Sequence, residues 1–454
     1  MAITHRFRWS LLTSRYQDLI SLAMLAIVTA YGYGSLLGGD QARSFGEGSV
    51  FIGQPLLATG NLVLTHGLLP LWDPWSGSGD PLIANPLGVQ WYPPIYLAFM
   101  SESPAFEGLR WVVFAHLLMA SWATYGLARV LGVGPMCAIL APIGYVFSAH
   151  MHWVVGLGIV HPVFGRVWMP VAIAMLWICL SRRSWRYLLL AGMGLAVAIY
   201  AATVYMLHFT LVMMGTVFLS HVVVGKLSLR PILRRLAFIL SSGLLVVVVA
   251  LGLSAARVLP ISEYTPISNR GSISLEQIEK ASEVPSLQFV LDRIFDQIGS
   301  PILAIWGIPI GLLVIAGLVF APRRVSFFLG LSGLIGVWAS LGNQAPIDLY
   351  ALFYYLIPNF RFNTTLLRTL ELTYLAIPLL TAFGLHGTVK WSQTRHRSLV
   401  KPVIGVALAT VVTAGVLAAL GTHRAAQDVI DQPFPLAKVG PALVLREPPV
   451  FAKR

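Results

Sequence analysis

Residues 233–260 read LRRLAFILSSGLLVVVVALGLSAARVLP. No charged side chain stands between Arg235 and Arg257. An apolar run of about twenty residues is what the hydrocarbon core of a bilayer requires of a helix. Working outward, similar runs recur at 17–39, 110–132, 135–151, 163–180, 186–202, 204–224, 301–320, 325–341, 366–388 and 401–420. The expected fold is an all-α integral membrane protein of about eleven transmembrane helices. Composition agrees: of 454 residues 57% are hydrophobic and 11% charged. That is too little charge to wet a soluble protein, where about 25% is usual. One polytopic domain is expected over 1–420, with a tail over 421–454.

The formal charge of +13 could suggest nucleic acid, but its distribution argues against that partner. With the N-terminus inside, the inner segments receive Arg6, Arg8 and Arg15; Arg129; Arg182, Arg183 and Arg186; Lys226, Arg230, Arg234 and Arg235; Arg323 and Arg324; and Lys390, Arg395, Arg397 and Lys401. Short basic loops mark the cytoplasmic side. Of the acids only Asp18 falls inside. An odd number of spans places the C-terminus outside. The basic N-terminus leads into a long apolar run without a small-residue cleavage site, so an uncleaved first helix is expected. Cys137 and Cys179 fall near inner helix ends and imply no disulfide framework.

Three outer segments result: 40–109, 257–300 and 342–365. Segment 50–70 is apolar but holds Gln54, Pro55, Asn61 and His66, and as a span it would invert every later loop. An interfacial helix fits it better. The stretch PLWDPWSGSGDPLIANPLGVQWYPP after it is rich in Trp, Pro and Gly and should fold against the membrane surface.

The polar residues of these segments are the candidates for chemistry. Asp40 closes the first helix at the outer boundary, where a partly desolvated carboxylate could act as a general base or merely end a helix in water. Glu47 is its competitor in the same loop. Asp73 and Asp80 each precede a proline and suit turns. Asn85, Gln90 and Tyr92 could face a cleft or satisfy loop backbone. His150, His152 and His161 lie at outer helix ends. Residues two apart on a helix face different ways, so the H-x-H pair is a poor chelate, and bonding to phosphate or sugar hydroxyls suits these histidines better. Arg257 and Arg270 bracket a segment that includes Glu263, and Arg361 and Arg368 bracket RFNTTLLR. These arginines break the inside-positive trend, and a guanidinium fork matches phosphate. Glu371, three residues after Arg368, could pair with it. No P-loop, dinucleotide fingerprint, zinc-protease motif or Ser/Cys triad signature is present.

In order along the chain, GLLPLWDPWSGSGDPLIANPLGVQWYPP, GYVFSAHMHW with the later His161, ALGLSAARVLPISEYTPISNRG and LIPNFRFNTTLLRTLELTYLAIPLLTAFGLHG resemble the signature segments of YfhO-type bacterial membrane proteins. The matches span residues 40 to 388. The sequence departs in having Asp73 where Asn is usual, Trp75 where Tyr is usual, and Asn363–Thr364 where a Pro is usual. Such proteins are grouped with the GT-C class of membrane glycosyltransferases. The resemblance implies a bacterial inner-membrane protein and a sugar donor carried on polyprenyl phosphate. It also implies transfer to a glycan, lipid or protein acceptor on the outer face. Asp40 stands where the class keeps its catalytic carboxylate, segment 50–70 where it keeps interfacial helices, and Arg257, Arg270, Arg361 and Arg368 on its phosphate-binding loops. A divalent metal is compatible with this chemistry but is not argued by the residues. Two other readings stay open: a transporter or flippase of a lipid-linked intermediate, whose sign would be mid-helix ionisable residues and paired broken helices, and a catalytically silent GT-C-like subunit.

Overall fold

The computed structural model describes residues 2–395 apart from 38–46, 77–78, 87, 202–203, 225–228, 269–272, 283–284 and 297–300; after 395 it describes only positions 405, 409, 413, 416 and 420. Asp40, Arg270, most of the expected span 401–420 and the tail 421–454 therefore lie outside the described residues. Among those described, every named element is helical, and the one β pairing is an isolated bridge between Asp73 and Asp80.

Helices lie over each of the first ten expected spans. They are α1 (Ala2–Tyr33, with a 3-10 turn Gly34–Leu37), α3 (Leu109–Leu131), the short series α4 (Pro135–Ala138), α5 (Leu140–Val146) and α6 (Ala149–Gly156), then α7 (Val160–Arg182), α8 (Trp185–Ala201), α9 (Val204–Val223), α10 (Leu229–Tyr264), α13 (Pro301–Phe320), α14 (Arg323–Ser340) and α16 (Glu371–Arg395). Among the described residues six stretches are long and apolar enough to cross a membrane: Arg15–Leu37, Leu109–Leu131, Val160–Arg182, Met206–Val223, Leu236–Ile267 and Leu366–Thr394. The bent pair Pro135–Val146 and His150–Gly156 makes a seventh if it counts as one span, while Trp185–Ala201 and Pro309–Phe320 are apolar but shorter.

Two of the differences from the expected boundaries have a visible cause. The third span was expected to be continuous over 135–151; it breaks between Val146 and Ala149 with a bend of 47°. Ser148 starts the new segment, its hydroxyl accepting from the Met151 amide at 3.3 Å, as helix N-caps do. The seventh span was expected to end at Ala256, with Arg257 opening a loop. Instead α10 runs on through Arg257 and Pro260 to Tyr264. Arg257 is buried and finds acceptors there, so its charge does not force the chain into water.

Segment 50–70 forms α2 (Glu47–Gly60) and a π-helical turn Asn61–Thr65. α2 packs on the turn Pro104–Gly108: a Cβ at Gly53 would meet that of Ala105 at 3.3 Å. The segments between the long helices also hold α11 (Leu275–Ala281), α12 (Leu287–Asp296) and α15 (Leu349–Leu356).

Side-chain contacts sort the bundle into two ends. At one end Asp18 on α1 binds Arg129 on α3 at 2.7 Å, His386 on α16 lies against Gly134, Arg183 covers the Phe238 ring, and Arg324 donates to the Val224 carbonyl. These are the expected inner residues, so this is the basic pole. At the other, the Tyr33 hydroxyl donates to Val146 O, Arg257 meets the loop at Asn85 and Gly88, and Tyr354 donates to Ile273 O. This is the loop pole, where nearly all candidate residues collect.

Candidate functional site

The break between α5 and α6 frees carbonyls inside a helical bundle, where each needs a donor. Val146 O takes the Tyr33 hydroxyl at 2.7 Å. Tyr145 O takes Arg166 Nη1 and the Ser148 hydroxyl, each at 3.2 Å. Arg166, on α7, is completely buried. Its Nη2 donates to both oxygens of Glu371 at 2.8 and 2.9 Å, and its Nε to Oε2 at 3.2 Å. Its guanidinium also covers the Tyr145 ring at 5.0 Å. Glu371 Oε1 is further bonded to His150 Nε2 at 2.9 Å, and the His150 ring packs on Tyr374 at 4.9 Å. His152 instead packs on Tyr33 at 5.8 Å. The two histidines of SAHMHW thus face different helices, as their spacing requires.

The loop after α2 is closed by the Asp73–Asp80 bridge, with N–H···O distances of 2.8 and 3.0 Å. The turn is tight: Gly79 has φ +101, and a Cβ there would strike the Trp72 ring at 2.3 Å. Asp73 Oδ1 accepts from the Trp75 amide at 2.8 Å, the expected turn bond, while Oδ2 is buried without a partner. Burial pushes the Asp73 carboxyl above the ordinary range, against the amides of Trp75 and Ser76, and the nearby Asp80 charge adds to the rise. Asn85 donates to Asp80 at 3.4 Å. Tyr92 is committed to packing: its oxygen takes the Trp168 indole N–H at 3.0 Å and its hydroxyl lies 2.7 Å from His116 Nε2. Burial raises its phenol to about 12.

Arg257 ties this loop to α10. Its Nη2 donates to the carbonyls of Asn85 at 3.2 Å and of Gly88, while Nε and Nη1 are buried without partners. Gln90 closes over Gly88, so that a Cβ there would displace the Gln90 side-chain amide. The segment 357–370 lies at the same pole, with the Leu366 amide on the Ser282 hydroxyl at 3.3 Å. Asn363, at the departure from the expected Pro, uses its side chain: Nδ2 bonds His208 Nδ1 at 3.1 Å and Phe360 O at 3.1 Å, and its carbonyl takes the Tyr350 hydroxyl. A proline could make no side-chain bond there.

Arg368 donates to Phe362 O at 3.3 Å, and its charge is felt at His161 and Tyr350. Its spacing would have allowed a pair with Glu371; the bonds that carboxylate shows come from Arg166 and His150. Arg361 is partly buried on the 3-10 turn Phe360–Phe362, and Glu263 is exposed near the end of α10. Of Glu47 only the backbone is described. Among the described residues no three His, Cys, Asp or Glu lie close enough to share a metal ion.

The residue that sequence reasoning missed is Arg166. It sits inside VHPVFGRVWMP, within an apolar run, and a lone ionisable residue inside a span is itself a sign of an interior, functional position.

The fold and this pole describe a helical membrane protein with one bent span and a cationic, loop-covered end. Among solved structures, the chain is similar to the oligosaccharyltransferase of Archaeoglobus fulgidus in its apo form, with a TM-score of 0.48 and 13% identity over 92% of this chain and 56% of that one. The chain thus spans about half the length of that protein. No family model matches the sequence, and no curated protein matches it.

Proposed function

We propose that the protein is an inverting membrane glycosyltransferase that moves a sugar from a polyprenyl-phosphate-linked donor to a glycan, lipid or protein acceptor. In this reading the chain crosses a bacterial inner membrane about eleven times, its N-terminus is cytoplasmic, and the loop pole faces outward. The observation that supports it is the gathering of Arg368, His150 and His161 at the loop pole, away from the basic loops that anchor the other end. Such groups suit the charge that develops on a phosphate leaving group.

Asp40 takes the proton of the acceptor hydroxyl as its oxygen attacks the anomeric carbon. The bond from that carbon to the phosphate oxygen breaks, and the phosphate leaves with the electron pair. Arg361, Arg368 and His150 receive the charge. Arg257 has a different part from the one its sequence position suggested, because its Nη2 is committed to the loop carbonyls. α1 ends at Tyr33, seven residues before Asp40 in the sequence, and Tyr33 touches Val146, Phe147 and His152.

The bent span is the observation that favours a transporter. Its freed carbonyls, however, are bound by Tyr33 and Arg166 rather than lining a path. Mass spectrometry of lipid-linked saccharides and envelope glycans, from cells with and without the protein, tests the proposal. Loss of a glycosylated product with build-up of its lipid-linked donor is expected. Unchanged glycans with the same donor pool would overturn it.

A further inference from the structure

The Arg166–Glu371–His150 cluster has a geometry that a simple helix–helix ion pair would not need. Arg166 grips Tyr145, the residue just before the Val146–Ala149 break. Glu371 grips His150, just after it. The Arg166–Glu371 bonds join the two grips, so the cluster spans the break. Of the three side chains, those of Arg166 and Glu371 are 0% and 5% exposed, while that of His150 is 18% exposed. The two fully enclosed charges thus end in one imidazole that looks outward. Its ring is fixed at Nε2 by Glu371 and on its face by Tyr374.

We infer that Arg166 and Glu371 are positioning residues that hold His150 toward the donor's phosphate across the break in the third span. The inference rests on the glycosyltransferase reading for the identity of the ligand, and it assigns work to two residues that the reading does not use. A buried ion pair is weak evidence for stability, since well-packed apolar side chains of like volume often do as well. Removing one partner alone leaves a buried uncompensated charge, so single variants at these sites report folding more than function.

The test is a binding cycle on the full-length protein in lipid nanodiscs, with a labelled polyprenyl phosphate as probe. His150→Ala is expected to weaken binding by about tenfold or more, the scale of one charge-assisted bond. The double variant Arg166→Met/Glu371→Met removes both charges; it should fold and weaken binding by the same factor. The triple variant should be no weaker than the double. Glu371→Gln keeps an oxygen for His150 and serves if the double variant does not fold; in the folded fraction it should give an intermediate loss of binding.

Wild-type affinity in a folded double variant, or in Glu371→Gln, would overturn the inference. So would losses that multiply in the triple variant, because His150 would then act independently of the pair. A wild-type protein that does not bind the probe overturns it too. Binding without any sugar transfer would instead remove the glycosyltransferase reading and leave the positioning role standing.

Discussion

The two fully buried arginines at the loop pole should respond oppositely to the same substitution. Arg166→Met deletes a guanidinium that makes three bonds to Glu371 and one to Tyr145 O. It strands a carboxylate that is 5% exposed. Breaking a buried pair in this way costs about 3–5 kcal/mol. Arg257→Met deletes two bonds from a charged donor to carbonyls, each worth about 1.5–3 kcal/mol. It also removes two buried donors, Nε and Nη1, that have no partner and cost about 1–3 kcal/mol each. These effects nearly cancel, and no carboxylate is left behind, so the change should lie within about 1 kcal/mol of wild type. The assay is equilibrium unfolding in mixed micelles, with both variants made in one background. A loss of about 3 kcal/mol or more in Arg257→Met would refute the reasoning, because it would require an anionic partner for Arg257.

Asp40→Asn should lower sugar transfer by about 10²-fold or more, the lower scale of general-base catalysis, with donor binding unchanged; a fully active variant would end its proposed role, and Glu47→Gln run in parallel identifies the competitor. Arg361→Ala and Arg368→Ala should each weaken polyprenyl-phosphate binding by about tenfold or more, with Lys only partly restoring it because the fork is lost; unchanged affinity in both would remove them from the site. On a Cys-free background, Ser286→Cys should react with an impermeant maleimide in intact cells and Ser184→Cys only after permeabilisation; the reverse pattern would overturn the orientation. Asp73 has a raised carboxyl pKa in the folded state. Its stabilising contribution is therefore full below the unfolded value of 3.8 and is lost as pH rises through the folded value. Asp73→Asn should thus gain on wild type as pH rises from 4 to 7, read as resistance of the 69–92 loop to proteolysis, and a variant less resistant at pH 7 would contradict this.

The helices were legible because apolar length is a local property. The close break expected between the fifth and sixth spans, near Ala201–Tyr205, falls on positions 202–203, outside the described residues. Asp18, the lone acid among the residues expected inside, was legible as an exception and is explained by Arg129, with the Tyr125 hydroxyl on the same carboxylate at 2.5 Å. What could not be read was pairing over long separations. Nothing in VHPVFGRVWMP points to Glu371, because their contact depends on how α7 and α16 pack, and Arg368 was the nearer cation in sequence. The break at Phe147–Ser148 was equally hidden, since no Pro or Gly stands at it. It is held by Tyr33 and Arg166, from helices on either side in the chain.

The Arg166–Glu371 pair also sets a problem for assembly during synthesis. Arg166 leaves the ribosome 205 residues before its partner, so α7 must enter lipid with a lone cation. On an insertion scale an arginine at the centre of a helix costs about 2.5–3.5 kcal/mol. α7 is apolar enough to cross a membrane, and so to carry that load. Arg166 is also only the seventh residue of the helix, where a long side chain can reach the interface. The later span, Leu366–Thr394, is less apolar, and the cation waiting in α7 offers Glu371 a partner as it arrives. Insertion of the last part of the bundle is thereby templated by the first, and a variant lacking Arg166 should stall with α16 exposed to quality-control proteases.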